Sequence, residues 1–277
     1  MRIAIISDIH GNLEALKTTL NDIRRRNVDK IICLGDIIAK GHHPKECLEL
    51  IRKNCDIIIQ GNCDKVFSTG IFYGEPTEID KKRLQWNQSF LTESDKAFLS
   101  SLPFYYEFYM SGSLVRLFHA TPVSDHTAVI LQDNFETKYN MFLPSKFIVS
   151  DKIADIVIYG HIHHQYMDRL YNRTLINAGS VGNSFDVIRN PKKDANVLET
   201  TKAYYLIIEG KYGSTTYTDD ISYQFIKLPY NIEKELEDVD KNLEKENYEF
   251  EIKNGMYRDM KKINTNFEKM GIDTSKI

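Results

Sequence analysis

Seven residues in the sequence each follow an apolar run of strand length, and all have side chains that commonly bind metals. They comprise two carboxylates, one amide and four imidazoles: Asp8, His10, Asp36, Asn62, His119, His161 and His163. A mixed nitrogen and oxygen set without thiolate is typical of sites for Mn, Fe, Zn and similar ions. Two adjacent ions clamp phosphate oxygens and activate a bridging hydroxide. The set therefore predicts two-metal phosphoryl chemistry, with Asp36 as the bridging carboxylate.

The stretch Arg2–Asn12 holds the first two of these residues, where an apolar run stops at Asp8 and helical periodicity begins. In extended backbone, Asp8 and His10 would point the same way because they are two residues apart. Taken alone, the stretch fits a metal site and an edge turn equally well. In the edge turn, Asp8 would cap a helix and His10 would lie on the surface.

Two further apolar runs favour the metal site. Lys30–Leu34 ends at Gly35-Asp36, and Asp56–Gln60 ends at Gly61-Asn62. Helical spacing separates the runs, so the order is β–α–β–α–β, which is typical of a parallel sheet. Ligands of such sheets bind beyond the carboxyl ends of the strands. Because every strand ends there in a metal-competent side chain, we expect these side chains to converge.

The middle of the chain is predicted to leave this α/β rhythm. Residues 66–104 read as a helical insertion, with one helix over Ile79–Phe90 and a second from Thr92 to Leu102. A hairpin is predicted around Ser111-Gly112-Ser113, and its second strand ends at His119. A strand over Ala154–Tyr159 then leads into Gly160-His161-Ile162-His163.

Later runs alternate between apolar and polar residues, which predicts a second, mostly antiparallel sheet packed on the first. These runs are Thr174–Asn177, Ala203–Glu209, Ser214–Thr218 and Gln224–Leu228. Gly210-Lys211 suggests a tight hairpin between two of them. From Asn231 the chain is highly charged, and we interpret 231–277 as a helical surface tail that is solvated or mediates self-association.

Composition limits the classes of function. The chain has 277 residues, a net charge of −3, 42% hydrophobic residues and 27% charged residues, which is typical of a globular protein. The absence of a basic stripe disfavours nucleic acid as a partner. No stretch has the length of a membrane span, no signal peptide is evident, and the four cysteines form no CxxC pair. We therefore expect a reduced, cytoplasmic protein that acts without a membrane.

The motifs together resemble the calcineurin-like metallophosphoesterases. That family's five motifs read approximately D-x-H, G-D, G-N-H-[DE], a lone H, and G-H-x-H. They occur here in the same order, at Asp8-Ile9-His10, Gly35-Asp36, Gly61-Asn62-Cys63-Asp64, His119, and Gly160-His161-Ile162-His163. The resemblance covers roughly residues 1–230, and within the family Ser7–Asn12 and Ile176–Ser180 are similar to the small bacterial phosphodiesterase branch.

This resemblance implies a four-layer α/β/β/α sandwich of two mixed sheets with flanking helices, here with the helical C-terminal tail. It places Asp8, His10, Asp36 and His163 on one divalent ion. Asp36 again, with Asn62, His119 and His161, is placed on the other. Mn is the first expectation for both ions, with Fe, Zn, Ni or Co as alternatives. Gly11 and Asn12 are predicted to meet substrate phosphate oxygens with their backbone N–H groups.

The sequence departs from the family at Cys63, where many members have the histidine that is usually assigned as general acid. An unperturbed thiol, with a pKa near 8.5, could donate a proton, but through a different geometry. Alternatively Cys63 is a small apolar filler, or the reaction uses leaving groups that need little protonation. Among the possible substitutes, His42, His43, His126 and His164, we expect His164 to be the best placed.

The functional hypothesis is a dinuclear-metal phosphoesterase, most simply a phosphodiesterase, acting on a small or nucleotide-like phosphoester. The alternatives are a Ser/Thr protein phosphatase and a non-catalytic protein-binding scaffold on the same fold. Ligand completeness separates the enzyme from the scaffold, and all seven positions carry competent residues. We expect a small phosphoester as the partner, with self-association as a further possibility for the tail.

Overall fold

Strands and helices alternate through the first part of the computed structural model, which describes residues 1–184, 201–218 and 220–255. The strands are β1 Arg2–Ile6, β2 Lys30–Cys33, β3 Ile57–Ile58, β4 Tyr105–Met110, β5 Ser113–Phe118, β6 Ile156–Tyr159, β7 Tyr166–Leu170, β8 Arg173–Asn177, β9 Ala203–Glu209 and β10 Ser222–Leu228. The helices are α1 Leu13–Arg25, α2 Pro44–Asn54, α3 Asn62–Thr69, α4 Glu78–Gln88, α5 Glu93–Ser101, α6 Phe135–Tyr139, α7 Ile232–Glu235 and α8 Lys245–Asn254. Within the described ranges, no helix has the length and apolarity needed to cross a membrane.

The strands form two mixed five-stranded sheets, with the orders β10-β9-β1-β2-β3 and β4-β5-β6-β8-β7. In the first sheet β1, β2 and β3 are parallel, as predicted, while β9 runs antiparallel to β1. In the second sheet β5, β6 and β8 are parallel, and β4 and β7 are antiparallel to their neighbours. The predicted ligands follow the carboxyl ends of β1, β2, β3, β5 and β6.

The two sheets pack face to face, and helices cover their outer faces. The layer between the sheets is built from aliphatic side chains of both, including Ile3, Ile5, Ile32, Val115, Leu117, Ile156 and Ile158. The outer face of the first sheet packs against α1 and α2 through residues such as Ala4, Ile6, Leu16 and Leu48. Over the outer face of the second sheet lie α6 and a 3₁₀ turn, Asn140–Phe142. The predicted four-layer sandwich is confirmed.

Several local predictions are also confirmed. Asn12 caps α1, because its Oδ1 accepts a hydrogen bond of 3.0 Å from the Ala15 N–H. The two predicted helices of the insertion form as α4 and α5, each with a threonine and aspartate capping box. The β4–β5 hairpin turns at Ser111 and Gly112, whose φ angles of 50° and 85° lie in the left-handed region that two-residue hairpin turns use.

The assignment of the later strands to a second sheet is confirmed for Thr174–Asn177, which lies in β8, and is wrong for the runs that follow it. β9 and β10 extend the first sheet, because β9 pairs with β1 along Arg2–Ile5. Ser214–Thr218 is not a strand but part of a long connection, which rules out a tight hairpin at Gly210-Lys211. β7 was not predicted at all, since two of its residues are exposed and its pattern YMDRL has little apolar content. Alternation reveals an exposed face, but it does not show which sheet a strand joins.

The described part of the tail is not purely a surface feature, while residues 256–277 of the predicted tail lie outside the described residues. Ile232, Val239, Tyr248 and Ile252 form a small buried cluster. Glu235 joins this cluster to the first helix, because its carboxylate accepts hydrogen bonds from the Glu14 N–H (3.1 Å) and the Tyr248 hydroxyl (2.8 Å). The tail therefore packs against the beginning of α1.

The buried Glu235 carboxyl should make stability depend on pH. Burial raises its pKa from 4.5 to about 7, so folded protein binds a proton that unfolded protein releases. The resulting stabilisation is complete below pH 4.5 and is lost as the pH rises through about 7. Over that range, the free energy of unfolding of the wild type should fall by on the order of 3 kcal/mol relative to Glu235→Gln.

Urea unfolding of both proteins across this pH range measures the difference. Glu233→Gln is the matched control, because Glu233 lies exposed on the same helix. Parallel stability curves for the wild type and Glu235→Gln would contradict the assignment.

Candidate metal centre

The structure brings all seven predicted ligands together where the parallel strands of both sheets end. Asp8 and His10 follow β1, Asp36 follows β2, and Asn62 begins α3 beyond β3. From the second sheet come His119 after β5, and His161 and His163 after β6. Asp8, His10, Asp36, His119 and His163 are each at most 5% exposed. The predicted convergence of these residues is therefore confirmed.

One half of the cluster is formed by Asp8, His10 and His163. The two Nε2 atoms of His10 and His163 lie 3.0 Å apart. Asp8 Oδ1 lies 3.3 Å from Nε2 of His163 and 3.8 Å from Nε2 of His10. Three donor atoms from two sheets thus face a common point.

The other half is formed by Asn62, His119 and His161. Oδ1 of Asn62 lies 3.0 Å from His119 Nε2 and 3.0 Å from His161 Nδ1. The two imidazoles stand edge to face, with ring centroids 5.2 Å apart. This half therefore offers one amide oxygen and two ring nitrogens.

Asp36 joins the two halves. Its Oδ2 lies 3.6 Å from Nε2 of His10 and also 3.6 Å from Nε2 of His119. Its Oδ1 accepts a hydrogen bond of 2.8 Å from the Cys63 N–H, which fixes the plane of the carboxylate. A carboxylate held between two histidines in this way has the position that a bridging ligand needs.

Backbone carbonyls orient the imidazoles from behind. Nδ1 of His10, His119 and His163 lies 3.3, 2.9 and 2.6 Å from the carbonyl oxygens of Ile38, Leu34 and Asn183. Because a carbonyl can only accept, each Nδ1 carries a proton and each Nε2 is the ring nitrogen that faces the centre. His161 is reversed, since its Nε2 lies 3.0 Å from the His126 carbonyl oxygen and its Nδ1 faces inward.

The donor set fits divalent cations. Asp8 Oδ2 accepts hydrogen bonds from Ser7 Oγ (2.6 Å) and the His161 N–H (2.9 Å), whereas its buried Oδ1 has no hydrogen-bond donor among the described residues. Burial lowers the pKa of His161 to about 3 and that of His10 well below its usual value, so both rings are neutral. Facing lone pairs and an orphaned carboxylate oxygen repel one another unless a cation lies between them.

The backbone at the centre differs from the extended conformation that the sequence suggested. Asp8, His10, Asp36, His161 and His163 have φ angles of 54°, 49°, 52°, 67° and 61°, in the left-handed region that non-glycine residues rarely adopt. Asp8 and His10 therefore converge because the chain coils at the end of β1, not because it is extended. Such backbone strain is often concentrated at functional sites.

The backbone N–H groups of Gly11 and Asn12 are already bonded within the chain, and a substrate contact of these two residues stays a prediction. The Gly11 N–H donates to the Ile37 carbonyl at 3.0 Å, and the Asn12 N–H donates to the Ile9 carbonyl at 3.1 Å. Gly11 instead permits close packing, because at its φ of 65° a Cβ would lie 2.8 Å from the Gly41 carbonyl oxygen. Both residues shape the loop behind the ligands.

Cys63 lies at the edge of the centre, with its Sγ 3.6 Å from Asn62 Nδ2. Burial, reinforced by the Asp36 carboxylate, raises the pKa of its thiol well above the usual range. The thiol therefore stays protonated, and the backbone N–H of Cys63 has the positional task of holding Asp36. Both roles considered from the sequence, proton donor and filler, remain predictions.

Among the histidines considered as substitutes, the structure brings His126 against the centre through its carbonyl contact with His161. The ring of His126 pairs with Asp125 at 2.8 Å and stacks on Tyr73 with 3.8 Å between centroids. His164, which was expected to be the best placed, has its ring 6.1 Å from that of Tyr166 in β7. His42 and His43 contact each other with ring centroids 4.3 Å apart, and the His42 ring meets Tyr248 of the tail edge to face.

Three supporting residues were not singled out from the sequence. Asp64 is buried and accepts hydrogen bonds from the N–H groups of Gly61 (3.1 Å) and Ile37 (2.9 Å), which ties the loops that hold Asn62 and Asp36. Ser7 orients Asp8, and Asn183 orients His163. The acidic residue in the Gly61–Asp64 motif was a usable signal for the first of these. Nothing local in the sequence marks Asn183.

Comparison with known proteins agrees with this geometry. Residues 1–202 match the family model described as the calcineurin-like phosphoesterase superfamily domain. An uncharacterized protein of Methanocaldococcus jannaschii is 31% identical over 260 residues, which cover 87% of this chain and 92% of that protein.

Two crystal structures share the fold. A metallophosphoesterase from Sphaerobacter thermophilus is 22% identical, with a TM-score of 0.60 over 99% of this chain and 96% of that one. A hypothetical protein from Pyrococcus horikoshii OT3 is 16% identical, with a TM-score of 0.70 over 92% of this chain and 99% of that one. From its matching domain and the completeness of its motifs, the chain belongs to the calcineurin-like phosphoesterase superfamily.

Proposed function

We propose that the protein is a dinuclear-metal phosphoesterase that hydrolyses phosphodiesters of small or nucleotide-like groups. The observation that carries this proposal is the position of Asp36, whose Oδ2 is equidistant from one histidine of each half of the cluster. The orphaned Oδ1 of Asp8 supports it independently. The superfamily is one of metal-dependent phosphoester hydrolases, which agrees with the proposed chemistry.

The residues divide between two sites. Asp8, His10 and His163 would hold one ion, Asn62, His119 and His161 the other, and Asp36 both. When bound, such a pair of ions supplies Lewis-acid stabilisation of phosphate charge and a water of lowered pKa. Mn is the proposed metal, since imidazole and carboxylate ligands without thiolate suit it, with Fe, Zn, Ni or Co as alternatives.

The protein's own groups act mainly by positioning. Three backbone carbonyls keep the Nε2 atoms of His10, His119 and His163 pointing inward. Ser7 Oγ and the His161 N–H both donate to Oδ2 of Asp8 and leave its Oδ1 for a cation. The Cys63 N–H fixes the orientation of the Asp36 carboxylate. Ligands arranged in advance need no reorganisation when charge develops on the phosphate.

Removing the metals should abolish activity. Chelator-treated protein should lose hydrolysis of bis(p-nitrophenyl) phosphate and regain it on addition of Mn²⁺. Asp36→Ala should lower kcat/KM by more than about a hundredfold. Substitution of residues that only orient metal ligands already lowers metal affinity or activity by about 10–100-fold, and Asp36 is proposed as a ligand itself. Asp56→Asn is the control, because Asp56 is an exposed aspartate near β3. Undiminished activity of Asp36→Ala would exclude the two-metal assignment.

Substitution of Cys63 should distinguish a proton donor from a filler. The nitrophenolate of bis(p-nitrophenyl) phosphate is a good leaving group that needs no proton. Cys63→Ala should therefore keep kcat for this substrate within about threefold of wild type. Cys63→His should raise kcat selectively for an alkyl phosphodiester, whose leaving alkoxide needs a proton. Steady-state kinetics with both substrates provide the test, and Cys55→Ala is the control. A large loss in Cys63→Ala on the nitrophenyl substrate would instead assign the thiol a direct role.

A further inference from the structure

A cleft of about 300 Å³ adjoins the candidate metal centre. One end is lined by Asn62 and Cys63, its walls are α3 and α4, and the segment 242–244 of the tail closes the far side. The volume is at the lower end of the range for ligand cavities, which suits one small organic group rather than a long polymer. Three parts of the chain therefore form the cleft: the end of α3 that carries Asn62, the helical insertion and the C-terminal tail.

Polar contacts hold the walls of this cleft in place. Arg83 of α4 forms two hydrogen bonds with the Glu244 carboxylate, at 2.6 and 2.5 Å. The Trp86 indole N–H donates to the Lys241 carbonyl at 3.3 Å. Asn242 Nδ2 donates to the Lys40 carbonyl at 2.6 Å. The cleft is therefore built into the fold, and two of its charged lining residues, Arg83 and Glu244, are paired with each other.

The lining of the cleft combines aromatic and apolar side chains with the charged side chains of Lys40, Asp80, Arg83 and Glu244. Phe72, Tyr73 and Trp86 contribute aromatic side chains, and Val66 and Phe67 add apolar contacts from α3. Phe72, Tyr73 and Trp86 favour stacking on another planar ring, as aromatic side chains do in proteins that bind nucleic-acid bases.

Asn87 provides one specific polar feature. It lines the cleft and is 2% exposed. Its Nδ2 donates to the Arg83 carbonyl at 2.9 Å, which fixes the amide orientation because a carbonyl can only accept. The remaining atom, Oδ1, is buried and has no hydrogen-bond donor among the described residues. A buried acceptor of this kind costs free energy unless a ligand supplies an N–H or O–H group.

We propose that this cleft receives the organic group of the substrate, and that this group is a planar ring carrying an N–H donor, namely an amino-bearing nucleobase. The ring stacks against the aromatic wall, and its exocyclic amine donates to Asn87 Oδ1. This inference rests on the proposed function, because the phosphoester is then held at the adjoining metal centre. It makes Asn87 a specificity-determining residue.

Trp86 allows a direct test, because it is the single tryptophan of the sequence and lines the cleft. Adenosine is titrated into chelator-treated full-length protein, and purine riboside serves as the matched ligand without the amine. Adenosine should quench the tryptophan fluorescence saturably and bind about tenfold more tightly than purine riboside, as expected for one buried hydrogen bond. Ribose alone should not quench it.

Substitution of Asn87 completes the test. Asn87→Leu should weaken adenosine binding about tenfold and remove the preference over purine riboside. Asn54→Leu should leave both unchanged, since Asn54 makes the same bond to the carbonyl four residues earlier but lies at the end of α2. Leu243→Arg, at a residue 40% exposed on the tail wall, should also weaken adenosine binding without disturbing a buried position.

The proposal is overturned if adenosine does not quench saturably, if ribose quenches equally, or if purine riboside binds the wild type as tightly as adenosine. Equal adenosine affinity in the wild type and a folded Asn87→Leu protein would overturn it as well. Metal-dependent hydrolysis of bis(p-nitrophenyl) phosphate is measured separately. Hydrolysis without adenosine binding refutes the cleft alone, whereas binding without hydrolysis refutes the proposed function alone.

Discussion

The structure holds buried carboxylates and histidine nitrogens close together at one site, and the rest of the fold must offset their mutual repulsion. Asp8 and Asp36 are almost completely buried, and the inward nitrogens of His10 and His163 approach to 3.0 Å. Carboxylates and lone pairs held this closely oppose folding unless cations balance them. The aliphatic layer between the two sheets supplies the opposing stability, and it fixes the strand ends from which both halves of the cluster extend.

The loops that carry the candidate ligands have unusual backbone conformations because they must bring these side chains close together. Five of the seven ligands have positive φ angles, and close backbone approach is needed around them. At Gly160 a Cβ would collide with Ser7 Oγ and Asp8 Oδ2, and at Gly61 it would collide with Asp36. Glycines and strained ligands therefore alternate in the motifs because the turns must be tight enough to bring side chains from separate strands to one point.

Much of the fold and the convergence of the seven candidate ligands could be predicted from sequence. The parallel order of β1, β2 and β3 and the convergence of the ligands followed from apolar runs that end in polar residues. The sheet assignment of β9 and the contribution of Asn183 could not be predicted, because both depend on contacts between distant segments. The partners of the Gly11 and Asn12 N–H groups could not be predicted either, because a motif shows which residues are present but not which backbone N–H groups are already bonded.

The pairing of β1 with β9 has a consequence for the order in which the molecule is assembled. β1 carries the first two candidate ligands, yet the strand beside it, Ala203–Glu209, lies about two hundred residues later in the chain. During synthesis the ribosome releases Asp8 and His10 long before their strand can acquire both of its neighbours. Pairings over such sequence distances close slowly because of loop entropy. The nascent chain therefore exposes a half-paired strand edge until β9 arrives, and this interval is when the protein is most open to misassembly and to help from a chaperone.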